Sequence, residues 1–273
     1  MNRYQLHLVS DATGETLTGL SRAALSQFEH AKETNEHRWV FVRSPEQMQR
    51  VIAGIESHPG LVLFTLVDLE LRQILQDGCR RLKQPCISVL DPVIAAFVNF
   101  FGERALGEPG RQHELDQEYF RRIEAMDFTM THDDGQHAED LDTADVILVG
   151  VSRTSKTPTS IYLANRGLKT ANIAFVPGMA LPPQLEAARK PLIVGLTANA
   201  DRLVQVRRNR LLSLKQTDET DYVNGEAVKV ELAAARKLFT RLGWPVIDVT
   251  RRSIEETAAA VLNLYDERKE KTG

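Results

Sequence analysis

The chain has 273 residues, and its 34 lysines and arginines against 37 aspartates and glutamates give a formal net charge of -3. Hydrophobic residues make up 42% of the chain and charged residues 26%, which is typical of soluble globular proteins. This composition excludes a disordered tail protein, a collagen-like repeat and a polybasic nucleic-acid binder. The length allows one large domain or two smaller ones, because hydrophobic cores tend to split near ~250–300 residues.

The cysteines and the apolar runs indicate in which cellular compartment the protein is expected. Cys79 and Cys86 are too few for a disulfide framework and wrongly spaced for a CxxC zinc site, so we expect small core residues in a reducing environment. The N-terminus has no signal-peptide shape. The longest apolar runs, residues 61–67 and 94–101, are far shorter than the ~20 residues that a bilayer span requires. We therefore expect a cytoplasmic protein that binds neither membrane nor nucleic acid.

The first third of the chain alternates strand-like runs with helical patterns. In chain order, strands are predicted at 6–10, 38–42, 61–67 and 86–90, and helices at about 16–28, 45–57, 69–82 and 92–106. The run at 61–67 (LVLFTLV) is continuously apolar, which is typical of a strand buried on both faces. This βαβα alternation predicts a parallel sheet covered by helices.

The middle of the chain is polar and rich in turn residues. The segment 107–112 (GEPGRQ) is followed by a charged helix predicted at about 116–126. Because helix breakers and charges cluster there, we place a domain boundary near residue 107.

The last half of the chain repeats the α/β alternation. Strands are predicted at 146–149, 172–176, 192–196 and 246–249, and helices at 157–166, 200–214, 225–242 and 254–270. Ser253 and Glu256 have the spacing of a capping box at the start of the last helix. The predicted organisation is an N-terminal parallel-sheet α/β domain at 1–106, a connecting helical segment at 107–140 and a C-terminal α/β domain at 141–273.

The most informative segment is DVILVGVSRTSKTPTS at 145–160, an apolar strand that runs through a short loop into a helix. It has the length and order of a phosphate-binding loop (P-loop), GxxxxGK[ST], with Ser155 in place of the second glycine. Such a loop points backbone N–H groups at phosphate oxygens, while its lysine neutralises the phosphates and the next hydroxyl binds Mg²⁺. Lys156 and Thr157 occupy these two positions. The predicted nucleotide-binding residues are Gly150, Val151, Ser152, Arg153, Thr154, Ser155, Lys156 and Thr157.

A simpler interpretation of this segment remains open. The loop could be an ordinary Ser/Thr-rich helix start in which Thr157 or Thr159 caps the helix. A serine in a left-handed conformation at position 155 costs on the order of 1 kcal/mol, which a phosphate loop can tolerate.

Four segments carry motifs of one bacterial protein family. They are GVSRTSKTPTSIYLANRG at 150–167, HLVSDATGET at 7–16, FTMTHDDG at 128–135, and GLTANADRL at 195–203 with the following Arg207, Arg208 and Arg210. Together they resemble the bacterial pyruvate, phosphate dikinase regulatory proteins, close relatives of the phosphoenolpyruvate synthase regulatory proteins, over essentially the whole chain. The synthase-type relatives tend to have Cys-Gly where this chain has Thr154-Ser155, which favours the dikinase branch.

The resemblance implies a bifunctional enzyme that acts on a large protein partner. Members of the family phosphorylate a threonine of the target enzyme with ADP as donor. They remove that phosphate by phosphorolysis, in which inorganic phosphate attacks and pyrophosphate is released. The expected target is pyruvate, phosphate dikinase, with phosphoenolpyruvate synthase as the alternative. Mg²⁺ is an expected cofactor, and a homodimer is one option for the assembly.

Two other functions stay open. The chain could be an ATP-dependent P-loop kinase for a small molecule, in which the arginines of the segment 207–210 and the polar loop after Leu214 form a closing lid. It could also be a non-catalytic nucleotide sensor, which needs no base near the loop.

Phosphoryl transfer depends on positioning and charge stabilisation more than on covalent catalysis. Lys156 and the loop amides would hold the β-phosphate, and Arg153 could neutralise the transferring group. A further group must accept the proton of the target hydroxyl or orient phosphate in the reverse direction, and the candidates are His132, Asp133 and Asp134. We favour Asp133 or Asp134 as base or Mg²⁺ ligand. The alternative is a plain turn, because Asp-Gly is a common turn pair.

Three further residues are weaker candidates. Arg207 and Arg210 are three positions apart on one predicted helix and could clamp phosphate or an acidic target surface, or they could lie on a solvated helix face. Asp248 follows an apolar run, as a Walker-B-like Mg²⁺ ligand would, although an aspartate at a strand end is more often a turn residue.

The N-terminal segment 10–16 (SDATGET) also follows a strand and opens a helix. Such a helix start can bind an anion. It can equally be an ordinary N-cap in which Asp11 or Thr13 satisfies free amides.

Overall fold

Each half of the chain folds around its own four-stranded parallel sheet, so the predicted α/β class with two α/β domains is confirmed. The computed structural model describes residues 4–107, 117–213 and 221–272. The chain divides into two compact units, Met1–Glu114 and Leu115–Gly273. Most of the segment 107–112 and the residues 214–220 of the predicted polar loop lie outside the described residues.

The first unit follows the predicted alternation closely. Its elements are β1 (Tyr4–Ser10), α1 (Glu15–Leu25), β2 (Thr34–Trp39), α2 (Pro45–Ser57), β3 (Leu61–Thr65), α3 (Leu69–Arg81), β4 (Cys86–Ser88) and α4 (Asp91–Phe101). The sheet order is β2-β1-β3-β4. Val62 and Phe64 of β3 pack into one core and Leu63 into another, which explains the continuous apolar run. Cys79 is buried in the larger core, as predicted, and Cys86 packs against it; both thiols are free.

The predicted second strand is wrong by about four residues. The apolar run at 38–42 suggested the strand, but β2 is Thr34–Trp39 and pairs with β1 from Tyr4↔Thr34 to Val9↔Trp39. β2 lies at the edge of the sheet and pairs on one side only, so polar residues are tolerated along it. Phe41 lies beyond the strand, half exposed and in a left-handed conformation (φ 53°).

The second unit begins with a helix that packs on its own sheet. Its elements are α5 (Gln117–Thr131), β5 (Val146–Gly150), α6 (Lys156–Ala164), β6 (Thr170–Ala174), α7 (Pro183–Ala187), β7 (Leu192–Thr197), α8 (Ala200–Ser213), α9 (Gly225–Leu242), β8 (Val246–Asp248) and α10 (Ile254–Thr272). The helix α5 contacts α6 and β6. The short helix α7 was not predicted. The capping box of α10 is confirmed: the Ser253 amide donates to Glu256 (2.7 Å), and the Glu256 amide donates to Ser253 Oγ (3.1 Å).

The two sheets share one strand order, and that order positions the loops. The second sheet runs β6-β5-β7-β8, so in each unit the first strand lies between the second and the third. The chain therefore forms the second strand on one side of the first and then crosses over to form the third strand on the other side. Ligands of such sheets bind in the crevice that this reversal opens at the carboxyl ends of the strands. The loops after β1 and β5 both start at that crevice of their own sheet.

Within the parts of the chain that the structure describes, no helix combines the length and the apolar character needed to cross a membrane.

Candidate functional site

The loop after β5 begins at a crowded glycine and contains two left-handed residues. A Cβ atom at Gly150 would lie 2.7 Å from the carbonyl oxygen of Leu196 and 2.7 Å from Thr154 Oγ1, so only glycine fits there. Arg153 (φ 72°) and Ser155 (φ 59°) are both left-handed. Ser155 thus adopts the conformation that glycine provides in the common motif, at a cost of about 1 kcal/mol.

The helix α6 begins without a side-chain cap, so the capping interpretation is wrong. Its N-cap position is Ser155, and among the described residues no side chain bonds to the first-turn amides. The Thr157 hydroxyl donates instead to Asp133 Oδ1 (2.9 Å), and Thr159 Oγ1 is buried without a partner in the described part of the chain. Uncapped amides at a helix N-terminus are favourable anion ligands.

Lys156 points its ammonium group into the loop. The residue is only 5% exposed, and its Nζ donates to the Val151 carbonyl at 3.2 Å. Burial lowers the pKa of Lys156 from 10.5 to about 8, although the negative charges of Asp134 and Asp133 act in the opposite direction. Among the described residues, no carboxylate lies within salt-bridge distance of Nζ. The loop therefore contains a desolvated cation that a phosphate group would neutralise.

Asn172 joins the His-Asp-Asp-Gly turn to β6. It lies fully buried in β6, and its Nδ2 donates to Asp133 Oδ1 (2.5 Å), while its Oδ1 accepts from the Asp134 amide (3.2 Å). Its own amide donates to the His132 carbonyl (3.2 Å). Asn172 was not predicted from the sequence. An amide side chain inside an apolar strand run was the available signal, because buried polar groups need partners.

The two aspartates of the turn have different surroundings. Asp133 is half-buried, and its Oδ1 accepts from both Thr157 and Asn172. Asp134 is exposed and left-handed (φ 49°), and its carboxylate makes no hydrogen bond within the described residues. The structure therefore holds Asp133 in place and leaves the Asp134 carboxylate available.

His132 lies inside the unit. Its Nδ1 is 2.8 Å from the Phe128 carbonyl oxygen, and its ring stacks on the Phe128 ring with the centroids 3.7 Å apart. Its Nε2 is buried without a partner among the described residues. The His132 ring therefore packs in the interior, while Asp133 of the same turn contacts Thr157 of the loop.

Arg207 and Arg210 lie on α8 but in different environments. Arg207 is 2% exposed and pairs with both carboxylate oxygens of Glu231 (2.8 and 3.1 Å). It also donates to the Ser152 carbonyl of the loop (3.2 Å). Arg210 is exposed to solvent. The structure thus brings Arg207 to the back of the loop and does not join the two arginines into one clamp.

Asp248 is not brought together with Thr157. It ends β8, which β7 separates from β5, and its Oδ1 accepts from the amide and hydroxyl of Thr250. No group of three or more His, Cys, Asp or Glu side chains that could hold a metal occurs in the described ranges. The hydroxyl–carboxylate pair of Thr157 and Asp133 is the pair that lies beside the loop.

In the first unit, neither Asp11 nor Thr13 occupies the N-cap position of α1. That position is Gly14 (φ 77°), which has no side chain to act as a cap. Asp11 Oδ2 instead accepts from the Val67 amide across the sheet edge (2.6 Å). A cavity of about 620 Å³ lies there, with Arg72 in its wall. Anion binding at this segment stays a prediction.

Comparison with known proteins identifies relatives over the whole chain. A family model described as kinase/pyrophosphorylase matches residues 6–262. A protein of Paramagnetospirillum magneticum is 56% identical over 273 residues, covering 100% of this chain and 88% of the relative. A protein of Sphingopyxis alaskensis is 55% identical over 98% of this chain and 99% of its own length, and one of Caulobacter vibrioides is 54% identical over 96% and 82%. All three carry the provisional name of pyruvate, phosphate dikinase regulatory protein.

Proposed function

The chain belongs to the kinase/pyrophosphorylase family, and from that premise we propose that it reversibly phosphorylates a threonine of pyruvate, phosphate dikinase. In the forward direction the threonine oxygen attacks the β-phosphorus of ADP, the bond to the bridging oxygen breaks, and AMP leaves. In the reverse direction inorganic phosphate attacks the phosphothreonine phosphorus, and threonine and pyrophosphate are released. The provisional names of the relatives support this target.

One observation carries the proposal: the buried ammonium group of Lys156 lies beside the uncapped start of α6 and is acted on by the negative charge of Asp134. Lys156 and the amides at the start of α6 would bind the β-phosphate in both directions, because the same group is transferred each time. Arg153 would neutralise charge on the transferring group. These groups supply the electrostatic stabilisation on which phosphoryl transfer mainly depends.

Asp134 is the proposed proton acceptor. Its exposed carboxylate makes no hydrogen bond within the described residues, whereas Asp133 Oδ1 is already engaged by Thr157 and Asn172. Asp134 would take the proton of the attacking threonine hydroxyl and return it to the departing threonine oxygen in the reverse reaction. The presence of this carboxylate beside the loop favours an enzyme over a non-catalytic nucleotide sensor.

Mg²⁺ fits the pair of Thr157 and Asp133. A hydroxyl and a carboxylate oxygen are hard ligands of the type that Mg²⁺ prefers, and Mg²⁺ usually retains several waters, so two protein ligands suffice. When bound, the ion would neutralise charge on the diphosphate. Asp248, two strands from β5, is not part of this proposal.

The direct test is to incubate the protein with purified pyruvate, phosphate dikinase and ADP and to map phosphothreonine by mass spectrometry. We expect one modified threonine with ADP, and its loss with release of pyrophosphate when inorganic phosphate replaces ADP. Parallel reactions contain phosphoenolpyruvate synthase as target or ATP as donor. Modification of the synthase alone would move the target to that enzyme, and strict dependence on ATP would overturn the proposed donor.

The homodimer stays a prediction, and α4 offers a candidate interface for it. None of its residues is buried, and the rings of Phe97, Phe100 and Phe101 are more than half exposed. Exposed apolar faces of this kind commonly mark protein interfaces. Sedimentation velocity of wild type and Phe100→Glu would test it: a dimer that dissociates in the variant is expected, and a wild-type monomer would overturn it.

A further inference from the structure

We propose that Tyr222 is a positioning residue that orients Arg153 for the phosphoryl group, held in place by the buried pair of Arg207 and Glu231. The inference rests on the proposed function, because it assigns Arg153 to the phosphate. Neither Tyr222 nor Glu231 belongs to a motif recognised in the sequence.

The ion pair of Arg207 and Glu231 lies behind the loop and holds Tyr222 in position. Arg207 binds Glu231 through two parallel hydrogen bonds, and the side chains are 2% and 17% exposed. A bidentate pair of this kind has a fixed geometry, because the guanidinium fork matches the carboxylate. The second N–H groups of its two terminal nitrogens are therefore aimed in set directions: one at the Ser152 carbonyl (3.2 Å) and one at the Tyr222 carbonyl (3.1 Å).

Tyr222 is fixed against this pair. The Arg207 guanidinium lies over its ring, 4.5 Å from the centroid, and the neighbouring Val223 is buried. The ring therefore has a defined position on a short helical turn, Asp221–Val223, between α8 and α9. A cation over an aromatic face is an attractive contact, and more so when it is shielded from water.

The Tyr222 hydroxyl reaches the front of the loop. It lies 3.2 Å from Ser152 Oγ and 3.3 Å from Arg153 Nε. A phenol has one donor and two acceptor sites, so it can accept from the Arg153 Nε–H and still bond to the Ser152 hydroxyl. The hydroxyl therefore holds two consecutive side chains of the phosphate loop.

The contact at Nε leaves the two terminal NH₂ groups of Arg153 available to a ligand. Arg153 is exposed and left-handed, and its two terminal NH₂ groups make no hydrogen bond within the described residues. An arginine held at Nε keeps a fork of donors that can engage a phosphate group in a bidentate manner. Without Tyr222 the same side chain would have to be ordered when the phosphate binds, which lowers the affinity.

The test compares Tyr222→Phe with the matched control Tyr162→Phe. Tyr162 also accepts a hydrogen bond from an arginine (Arg166, 3.1 Å) whose guanidinium lies near its ring (5.4 Å), but this exposed contact lies at the C-terminal end of α6, whereas the loop precedes its first residue. ADP affinity is measured by calorimetry in the full-length protein. We expect Tyr222→Phe to weaken ADP binding by about five- to tenfold, the factor corresponding to one hydrogen bond. Tyr162→Phe should leave it unchanged.

The same substitution made in an Arg153→Lys protein distinguishes a positioning role of Tyr222 from a role in stability alone. Arg153→Lys keeps the charge but removes the Nε–H, so adding Tyr222→Phe to it should change ADP affinity by less than about twofold. An equal loss in both backgrounds, or a lower melting temperature with unchanged affinity, would overturn the inference.

An NMR measurement on the ligand-free protein tests the contact without any activity. The Arg153 Nε–H signal should be protected from exchange in wild type and lose that protection in Tyr222→Phe. If wild type bound neither ADP nor inorganic phosphate, the proposed function would fail, and this signal alone would decide whether Tyr222 orients Arg153. An unprotected signal in wild type would refute the positioning role.

Discussion

Replacing Lys156 by methionine should inactivate the protein and at the same time stabilise its ligand-free form. Burial lowers the pKa of Lys156 from 10.5 to about 8. Since one pKa unit corresponds to about 1.4 kcal/mol, keeping this ammonium charged at pH 7 costs the folded state roughly 3 kcal/mol. Methionine has a similar length and no charge, but it leaves the Val151 carbonyl without its donor, which costs about 1 kcal/mol. The expected net gain in the free energy of unfolding is about 2 kcal/mol.

The destabilisation of the folded state by the Lys156 charge should decrease as the pH rises. Below pH 8 the lysine is protonated in both the folded and the unfolded state, so the full penalty applies. Between pH 8 and 10.5 the unfolded state binds more protons than the folded state, and wild-type stability due to this group rises with pH. Above the unfolded value the penalty is gone. The advantage of Lys156→Met should therefore be largest at pH 7 and be gone by pH 10.5, where only the cost of about 1 kcal/mol from the Val151 carbonyl remains.

The assay is urea denaturation of wild type, Lys156→Met and the control Lys169→Met at several pH values between 7 and 10.5. Lys169 pairs with Glu124 at the surface (2.5 Å), so its replacement should have a small effect without this pH profile. ADP or inorganic phosphate should stabilise wild type and the control, but not Lys156→Met. A Lys156→Met protein that is no more stable than wild type at pH 7, with a pH-independent difference, would refute the reasoning.

Three further changes test the neighbouring groups. Asp134→Asn should lower turnover in both directions by about 10²–10⁴-fold while ADP affinity, from calorimetry, stays within about twofold; unchanged turnover would remove Asp134 from the mechanism. Asn172→Ala frees the Asp133 carboxylate and should lower both turnover and the free energy of unfolding, the latter by roughly 1–3 kcal/mol in urea titrations. Gly150→Ala places a methyl group 2.7 Å from the Leu196 carbonyl oxygen, so we expect weaker ADP binding by calorimetry and a stability loss of about 1–3 kcal/mol; wild-type values would contradict the close approach.

Local patterns in the chain were enough to predict most of the elements and the loop. Helix α2 occurs at the predicted residues 45–57 and α9 at 225–242, because amphipathic spacing and caps are properties of neighbouring residues. The candidate phosphate loop was identified for the same reason, since its predicted ligands are eight consecutive residues. The edge strand β2 was misplaced because a strand paired on one side needs no apolar run.

The partners of the loop depended on contacts that only the folded sheet creates. Asn172 reaches Asp133 across 39 positions, and Tyr222 reaches Ser152 across 70. The spacing of apolar residues along the chain does not predict such pairs. They form where parallel strands end at one edge of the sheet and helices pack over that edge. The same packing buries Arg207 against Glu231 and leaves Arg210 in water, although the two arginines are three residues apart on one helix. A sequence pattern can name the groups that bind phosphate, but burial and long-range packing decide which side chains orient them.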